Sequence, residues 1–390
     1  MIINSLLDTD FYKFTMAQAV FHQFPGTQVE YTFKNRGRER LGLYYQEIAD
    51  EISHLDTLRF TVSELNYLST IPYLTSDFID FLGMLQLNAY KYIYITVDDN
   101  NDLILKFKGP WIYTIWFEVP VLAIISEVFN RHHKQTDYPS KATIDKYEIA
   151  EKYNFTFSDF GTRRRHSLTR QEAVVDYLWK SKAILHSQRS SAYFVGTSNV
   201  RLAKRFFLTP IGTMAHEWLM AGQALGVRVV DSQKYMLENW VKEYRGSLGI
   251  ALTDTIGIDA FLKDFDLYFA KLYDGVRQDS GNPYIFGNKI IEHYKKLRID
   301  PMTKTIVFSD GLDFSMIPLI ESYFKGKIKT SYGVGTNLTN DPHYGYPLKI
   351  VMKMTECNGQ PVAKLSDTPG KGMCKDQEYV NYVKKVFSVT

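Results

Sequence analysis

One histidine stands where chemistry can be done, in the run T-P-I-G-T-M-A-H-E-W from Thr209 to Trp218. Pro210 and Ile211 read as the end of a short buried strand, Gly212 and Thr213 as a tight turn, and Met214 onward as a helix. His216 therefore falls in the first helical turn, at the mouth of a strand-to-helix junction. That turn carries unpaired backbone N–H groups and the positive end of the helix dipole, which favour an anion such as a phosphate. An exposed histidine there can ligate phosphate, act as general acid or base, or accept a phosphoryl group. It can equally do no more than hydrogen-bond a neighbouring loop.

Other polar and glycine residues follow short apolar runs in the same way. They are Gly161 and Arg163, then Asp254, Arg277, Asp279, the pair Asp310 and Gly311, and the pair Gly335 and Thr336. A guanidinium suits a carboxylate or phosphate, a carboxylate suits a developing positive charge, and glycine loops expose backbone N–H groups to phosphate. Asp254 and Asp310 can alternatively be plain helix N-caps.

The elements that must hold these residues change character along the chain. Asp8 to His22 has helical spacing, Val29 to Lys34 alternates like a strand, and Val62 to Leu87 reads as helices interrupted at Pro72. Tyr92–Val97 and Leu103–Phe107 flank a turn and predict a hairpin, and Pro120 is placed to open an apolar helix. This first region, residues 1–128, is expected to be α+β. From about Asn154, strand, polar loop and helix recur: Phe155–Ser158 before a Gln171–Ser187 helix, then Phe194–Thr197, Ile250–Asp254, Tyr273–Arg277, Thr305–Ser309 and Ile328–Tyr332. That rhythm predicts a parallel α/β barrel or a doubly wound sheet. Polar residues at the strand ends favour a TIM-like α/β barrel over residues 129–342, with the site residues on one face. Residues 343–390 are expected to pack on the N-terminal domain.

Composition removes several classes. The chain has 390 residues, 45% of them hydrophobic and 23% charged, enough for two domains and a sizeable core. A net charge of +3, with basic clusters that are short and local such as Arg163–Arg165, argues against nucleic acid and for small anionic ligands. Two cysteines, Cys357 and Cys374, make neither a zinc knuckle nor a disulfide framework, so a reduced cytoplasmic setting is expected. The amino terminus does not read as a signal peptide, and the apolar run Pro110–Ile125, broken by Glu118, reads as too short and too polar for a bilayer. No Walker lysine and no H-E-x-x-H occur, and Leu338 spoils the dinucleotide fingerprint begun by Gly333-Val334-Gly335. No residue is assigned to a resident metal.

Four segments together carry a family likeness: Gly212–Trp218, Asp159–Arg165 (DFGTRRR), Gly275–Gly281 (GVRQDSG) and Phe308–Asp313 (FSDGLD). They resemble the signatures of the nicotinate phosphoribosyltransferases, and the likeness runs from Thr9–Lys13 (TDFYK) to Lys364–Lys371 (KLSDTPGK). The resemblance implies transfer of a ribosyl 5-phosphate from phosphoribosyl pyrophosphate to the ring nitrogen of nicotinate, an irregular α/β barrel beside an α+β domain, and a homodimer with shared active sites. It also implies ATP as co-substrate, phosphorylating His216, and Mg²⁺ accompanying the pyrophosphate.

In those roles Tyr12 and Phe160 would stack on the pyridine ring, with Tyr12 coming from the neighbouring subunit. Gly161, Arg163 and Arg277 would serve nicotinate, with Arg163 forking onto its carboxylate. Asp279 or Asp254 would stabilise charge on the ribose carbon, and Asp310, Gly311, Gly335 and Thr336 would hold ribose and phosphate. Asn282 departs from the family, which often has a second aspartate there. It is either a weaker metal ligand or a turn residue. Rival readings are a quinolinate or nicotinamide phosphoribosyltransferase and a non-catalytic barrel that senses nucleotides.

Overall fold

The computed structural model describes residues 1–133, 140–185 and 193–389. Two compact units divide the chain: Met1–Gly26, Tyr31–Gly212 and Val334–Met352 form one, and Thr27–Glu30, Thr213–Gly333 and Lys353–Thr390 the other. Neither follows simple chain order.

The first unit opens with a helix at Phe11–Gln23, from which Phe14, Met16, Ala17 and Val20 enter the core. Strands β1 (Gln28–Asn35), β2 (Ile93–Val97) and β3 (Leu103–Pro110) follow, with β2 and β3 an antiparallel hairpin in the register Ile93↔Phe107 to Val97↔Leu103. β3 alternates buried and exposed residues from Leu103 to Lys108, as a strand with one face on the core does. The predicted helical region breaks into Val62–Leu68 and Ser76–Met84 around Pro72, the first started by a Thr61/Glu64 capping box.

The helix expected to open at Pro120 begins at Glu118 and ends at Arg131. Proline is tolerated at its third position because the first four helical N–H groups have no partner inside the helix. By length and composition Trp111–Arg131 could cross a membrane, which revises the shorter run read from sequence. It is 94% buried within the protein and serves as a core helix. Strands β4 (Phe157–Asp159) and β5 (Phe194–Thr197) pair in parallel. The helix predicted over Gln171–Ser187 runs from Leu168 to Leu185, and Ser187 lies outside the described residues.

The second unit is built on β6 (Ile250–Leu252), β7 (Gly275–Gln278), β8 (Thr305–Phe308) and β9 (Lys329–Val334), parallel neighbours in chain order. Helices Ile258–Asp264, Pro283–Lys296 and Ile317–Phe324 make the crossovers, as parallel pairing requires. The α/β class is as expected. Among the described residues β6 pairs with β7 alone, so the strand pairing does not complete the closed barrel that was expected. β10 (Ile350–Cys357) turns back on the short β11 (Gln360–Pro361). The final helix, Gln377–Phe387, sends Val383 and Phe387 onto Ile256, Ala260 and Ala363.

Candidate active site

His216 is the first residue of a helix at His216–Ala221, as its sequence position implied. Two expectations around it fail. Residues 208–215 form an extended segment with no strand, and the histidine is buried at 2% exposure, not displayed at the surface. Trp218 explains the burial: its ring meets Trp240 edge-on at 5.4 Å, and its indole N–H donates to the Met236 carbonyl at 3.0 Å. That anchor draws the short helix against Ser232–Tyr244 and takes His216 with it. Thr213 Oγ1 donates to the Ile250 carbonyl at 2.8 Å, which ties the approach segment to β6. A helix of six residues has a weak dipole, so the site's electrostatics come from side chains.

Those side chains stand just beyond the carboxyl ends of β6 and β7. His216 Nε2 lies 2.8 Å from Asp254 Oδ1 and 3.7 Å from Asp279 Oδ2. Asp254 Oδ2 accepts from Ser280 Oγ at 2.6 Å and faces Lys364 Nζ at 2.9 Å. Burial and the positive charge of Lys364 push the His216 ring down to about 4, so at neutral pH it is uncharged. With Nε2–H donating to Asp254, the lone pair sits on Nδ1. Burial works against the Asp254 carboxylate, but His216 and Lys364, with the hydrogen bonds from His216 and Ser280, hold it well below the usual range. Asp279, 31% exposed, is likewise kept ionised: burial raises it, and Arg277 chiefly outweighs that. Among the described residues the buried Nε of Arg277 has no hydrogen-bond partner, a donor suited to an incoming anion.

Neither Asp254 nor Asp310 is a helix cap, since the following helices start from Gly257 and Met316. Asp310 is instead paired with Lys371, beside the exposed Gly311. Asn282, the departure from the family, is the N-cap of Pro283–Lys296, accepting from Tyr284 N and Ile285 N at 2.9 and 3.1 Å. Its amide oxygen does there what a carboxylate would do.

One ligand atom each from His216, Asp254 and Asp279 lies within 4.8 Å of the others, a spacing that invites a cation. The chemistry does not fit resident Mg²⁺, which wants oxygen ligands in an octahedron. Both Asp254 oxygens are already taken, one by the histidine and one by a hydroxyl and an ammonium.

The remaining predicted residues lie in the first unit. Tyr12, 6% exposed, has the Arg163 guanidinium 5.7 Å from its ring centroid and the buried Lys13 ammonium 5.5 Å away. Arg163 reaches Asp10 at 3.5 Å and Glu118 at 3.8 Å, and Lys13 pairs with Glu118 at 2.6 Å. Tyr12 thus packs on the Arg163 of its own chain. Phe160 donates its backbone N–H to Val334 O at 2.9 Å, bringing Gly161 beside the Gly335–Thr336 turn. A Cβ at Gly161 would collide with the Thr339 side chain, and one at Gly212 would stand 3.0 Å from Tyr12 N. Both glycines are needed for these close approaches. Beneath them Arg165 and Asp8 form a two-point buried pair at 2.7 and 2.8 Å.

Sequence reasoning passed over Lys364, Ser280, Asp10, Glu118 and Lys371. The signal was there, because Lys364 and Lys371 bound the segment KLSDTPGK, Ser280 follows Asp279, and Asp10 sits inside TDFYK.

These motifs match known proteins over almost the whole chain. A family model described as the nicotinate phosphoribosyltransferase (NAPRTase) family covers residues 155–390, and its N-terminal domain model covers residues 7–126. The chain belongs to the nicotinate phosphoribosyltransferase family. It is similar to the nicotinate phosphoribosyltransferase of Ralstonia pickettii (strain 12J), 50% identical with 100% of both chains covered. The enzyme of that name from Acidovorax sp. (strain JS42) is 49% identical, covering 100% of this chain and 99% of the relative. Among solved structures, the Vibrio cholerae nicotinate phosphoribosyltransferase superposes with a TM-score of 0.92 at 38% identity, covering 100% of this chain and 95% of that one. A putative nicotinate phosphoribosyltransferase from Saccharomyces cerevisiae gives 0.91 at 33%, covering 100% and 99%.

Proposed function

We propose that the protein is a nicotinate phosphoribosyltransferase whose transfer step is coupled to ATP through a phosphohistidine at His216. The observation that carries the coupling is the neutral, buried His216 with its Nε2–H on Asp254. An uncharged imidazole with a fixed lone pair is a competent phosphoryl acceptor, whereas imidazolium is not.

The reaction has two linked parts. Nδ1 of His216 attacks the γ-phosphorus of ATP, an N–P bond forms, the P–O bond to ADP breaks, and water later cleaves the phosphoramidate. In the transfer itself, the ring nitrogen of nicotinate forms a bond to C1 of the ribose as the bond to pyrophosphate breaks. Positive charge grows on that carbon, and the ionised, partly exposed Asp279 is suited to stabilise it. Arg163 and Arg277 serve the nicotinate carboxylate, with Tyr12, Phe160 and Gly161 shaping the ring's slot. Asp310, Gly311, Gly335 and Thr336 serve ribose and phosphate. Mg²⁺ enters as the complex of the pyrophosphate substrate, since the His216 cluster is filled by Lys364 and Ser280. A homodimer with shared sites and a cytoplasmic location complete the proposal. Two unpaired cysteines, one buried, suit a reducing compartment.

The deciding experiment incubates purified protein with phosphoribosyl pyrophosphate and each of nicotinate, nicotinamide and quinolinate, with and without ATP, and identifies the nucleotide. Nicotinate mononucleotide formed faster with ATP is the expected result. Preference for another pyridine, or no turnover with any, overturns the reading.

A further inference from the structure

Lys364 is a deeply buried ammonium in the second unit, its side chain 5% exposed, and its ion-pair partner is the still more buried Asp254 at 2.9 Å. Its backbone is fixed on every side. Ala363 exchanges hydrogen bonds with the Gln223 amide at 2.8 and 2.9 Å, just past the end of the His216 helix. Leu365 N donates to Thr255 O at 2.7 Å, one residue beyond Asp254, and Lys364 pairs with Met373 in an isolated bridge. The chain that carries this ammonium is therefore stitched to both the histidine's helix and the aspartate's strand end.

We propose that Lys364 is a positioning residue for His216: by balancing the Asp254 carboxylate it fixes the imidazole proton on Nε2 and leaves the lone pair on Nδ1. The argument is one of charge within a closed cluster. A lysine, an aspartate and a neutral histidine sum to zero, and a buried set with no net charge avoids the desolvation cost of an uncompensated ion. Without the ammonium, the nearest group able to balance Asp254 is His216 itself, which then takes up a proton and loses its nucleophile. Two other charged groups act on the ring. Asp279, 3.7 Å away, is negative and held by Arg277, and Lys353 is positive and disfavours charge on the ring in the same direction as Lys364 but more weakly. The consequence for phosphoryl transfer rests on the function proposed above; the placement of the proton does not.

The test is an NMR titration of the His216 ring in the full chain, assigned by its loss in His216→Asn. Lys364→Gln keeps an N–H donor for Asp254 but removes the charge, and Lys364→Arg keeps the charge. The midpoint of His216 should rise by one pH unit or more in Lys364→Gln and stay near wild type in Lys364→Arg. If Lys364→Gln does not fold, Lys364→Met takes its place with the same expected rise. Ser280→Ala removes only a neutral donor from the same oxygen and should leave the midpoint close to wild type. An unchanged midpoint in the uncharged variants, or an equal rise in Ser280→Ala, overturns the proposal. A wild type that takes no label from γ-labelled ATP, together with the shifted midpoint in Lys364→Gln, sinks the phosphohistidine and supports the role of Lys364.

Discussion

His216 donates from Nε2 to Asp254 Oδ1 across 2.8 Å, and both side chains are almost wholly buried, at 3% and 1% exposure. That single contact sets which ring nitrogen can react, because a neutral imidazole holds one proton and one lone pair. The hydrogen bond also helps hold the Asp254 carboxylate in the interior, where an unpaired charge would be costly.

His216→Ala should lose the stimulation by ATP yet keep a slow, ATP-independent transfer. Asp279 and Arg277 remain in place, so the ribosyl chemistry survives without the coupling. Wild-type protein exposed to γ-labelled ATP should carry a label that acid removes and alkali does not. An acid-stable label, or an alanine variant still stimulated by ATP, would falsify the assignment.

Arg163→Lys should weaken nicotinate use more than use of phosphoribosyl pyrophosphate. Lysine keeps the charge but not the planar fork, and it would also lose the packing of the guanidinium over Tyr12. The charge-assisted contact is worth about 1.5–3 kcal/mol, so the apparent KM for nicotinate should rise by about tenfold or more. An unchanged KM would show that the nicotinate carboxylate is held elsewhere.

The proposed sharing of sites in a homodimer is open to a complementation test. Tyr12→Ala mixed with His216→Ala should give a heterodimer with one intact site and recover ATP-stimulated activity. If heterodimers form and no such activity returns, each site is complete within a single chain.

Stability should fall on the acid side because the folded protein refuses a proton that the unfolded chain accepts. His216 is held neutral down to about 4 from an ordinary 6.5, mainly by burial. Its contribution is full above pH 6.5 and is lost as the pH falls toward 4, amounting to about 3 kcal/mol over that window. His166, pushed down to about 4 by burial and Arg170, acts in the same direction. Urea unfolding at about pH 7.5 and about pH 4.5 should show a smaller acid loss for His216→Gln than for wild type. Equal losses would assign the acid sensitivity to other groups.

Local chemistry made much of this legible from the chain. The runs Tyr92–Val97 and Leu103–Phe107 around a turn gave a hairpin, the recurring strand, loop and helix units gave a parallel α/β sheet, and His216 was correctly set in the first turn of a helix. These depend on periodicity and on turn residues, which act over a few positions. The spacing of the glycine and aspartate motifs also carried the family, because several short segments in a fixed order are far more specific than one.

What the sequence could not settle was everything set by partners far away in the chain. Whether His216 is exposed or buried depends on Trp218 meeting Trp240, and its protonation depends on Asp254 and on Lys364, which comes 148 residues after it by residue number (364 minus 216). The company of Arg163, with Tyr12, Asp10 and Glu118 around it, is likewise made only by folding. The sequence by itself determined the elements, the family and the residue types available for catalysis. The tertiary structure alone decided their burial and charge states, because desolvation and Coulomb interactions depend on distance in space and not along the chain.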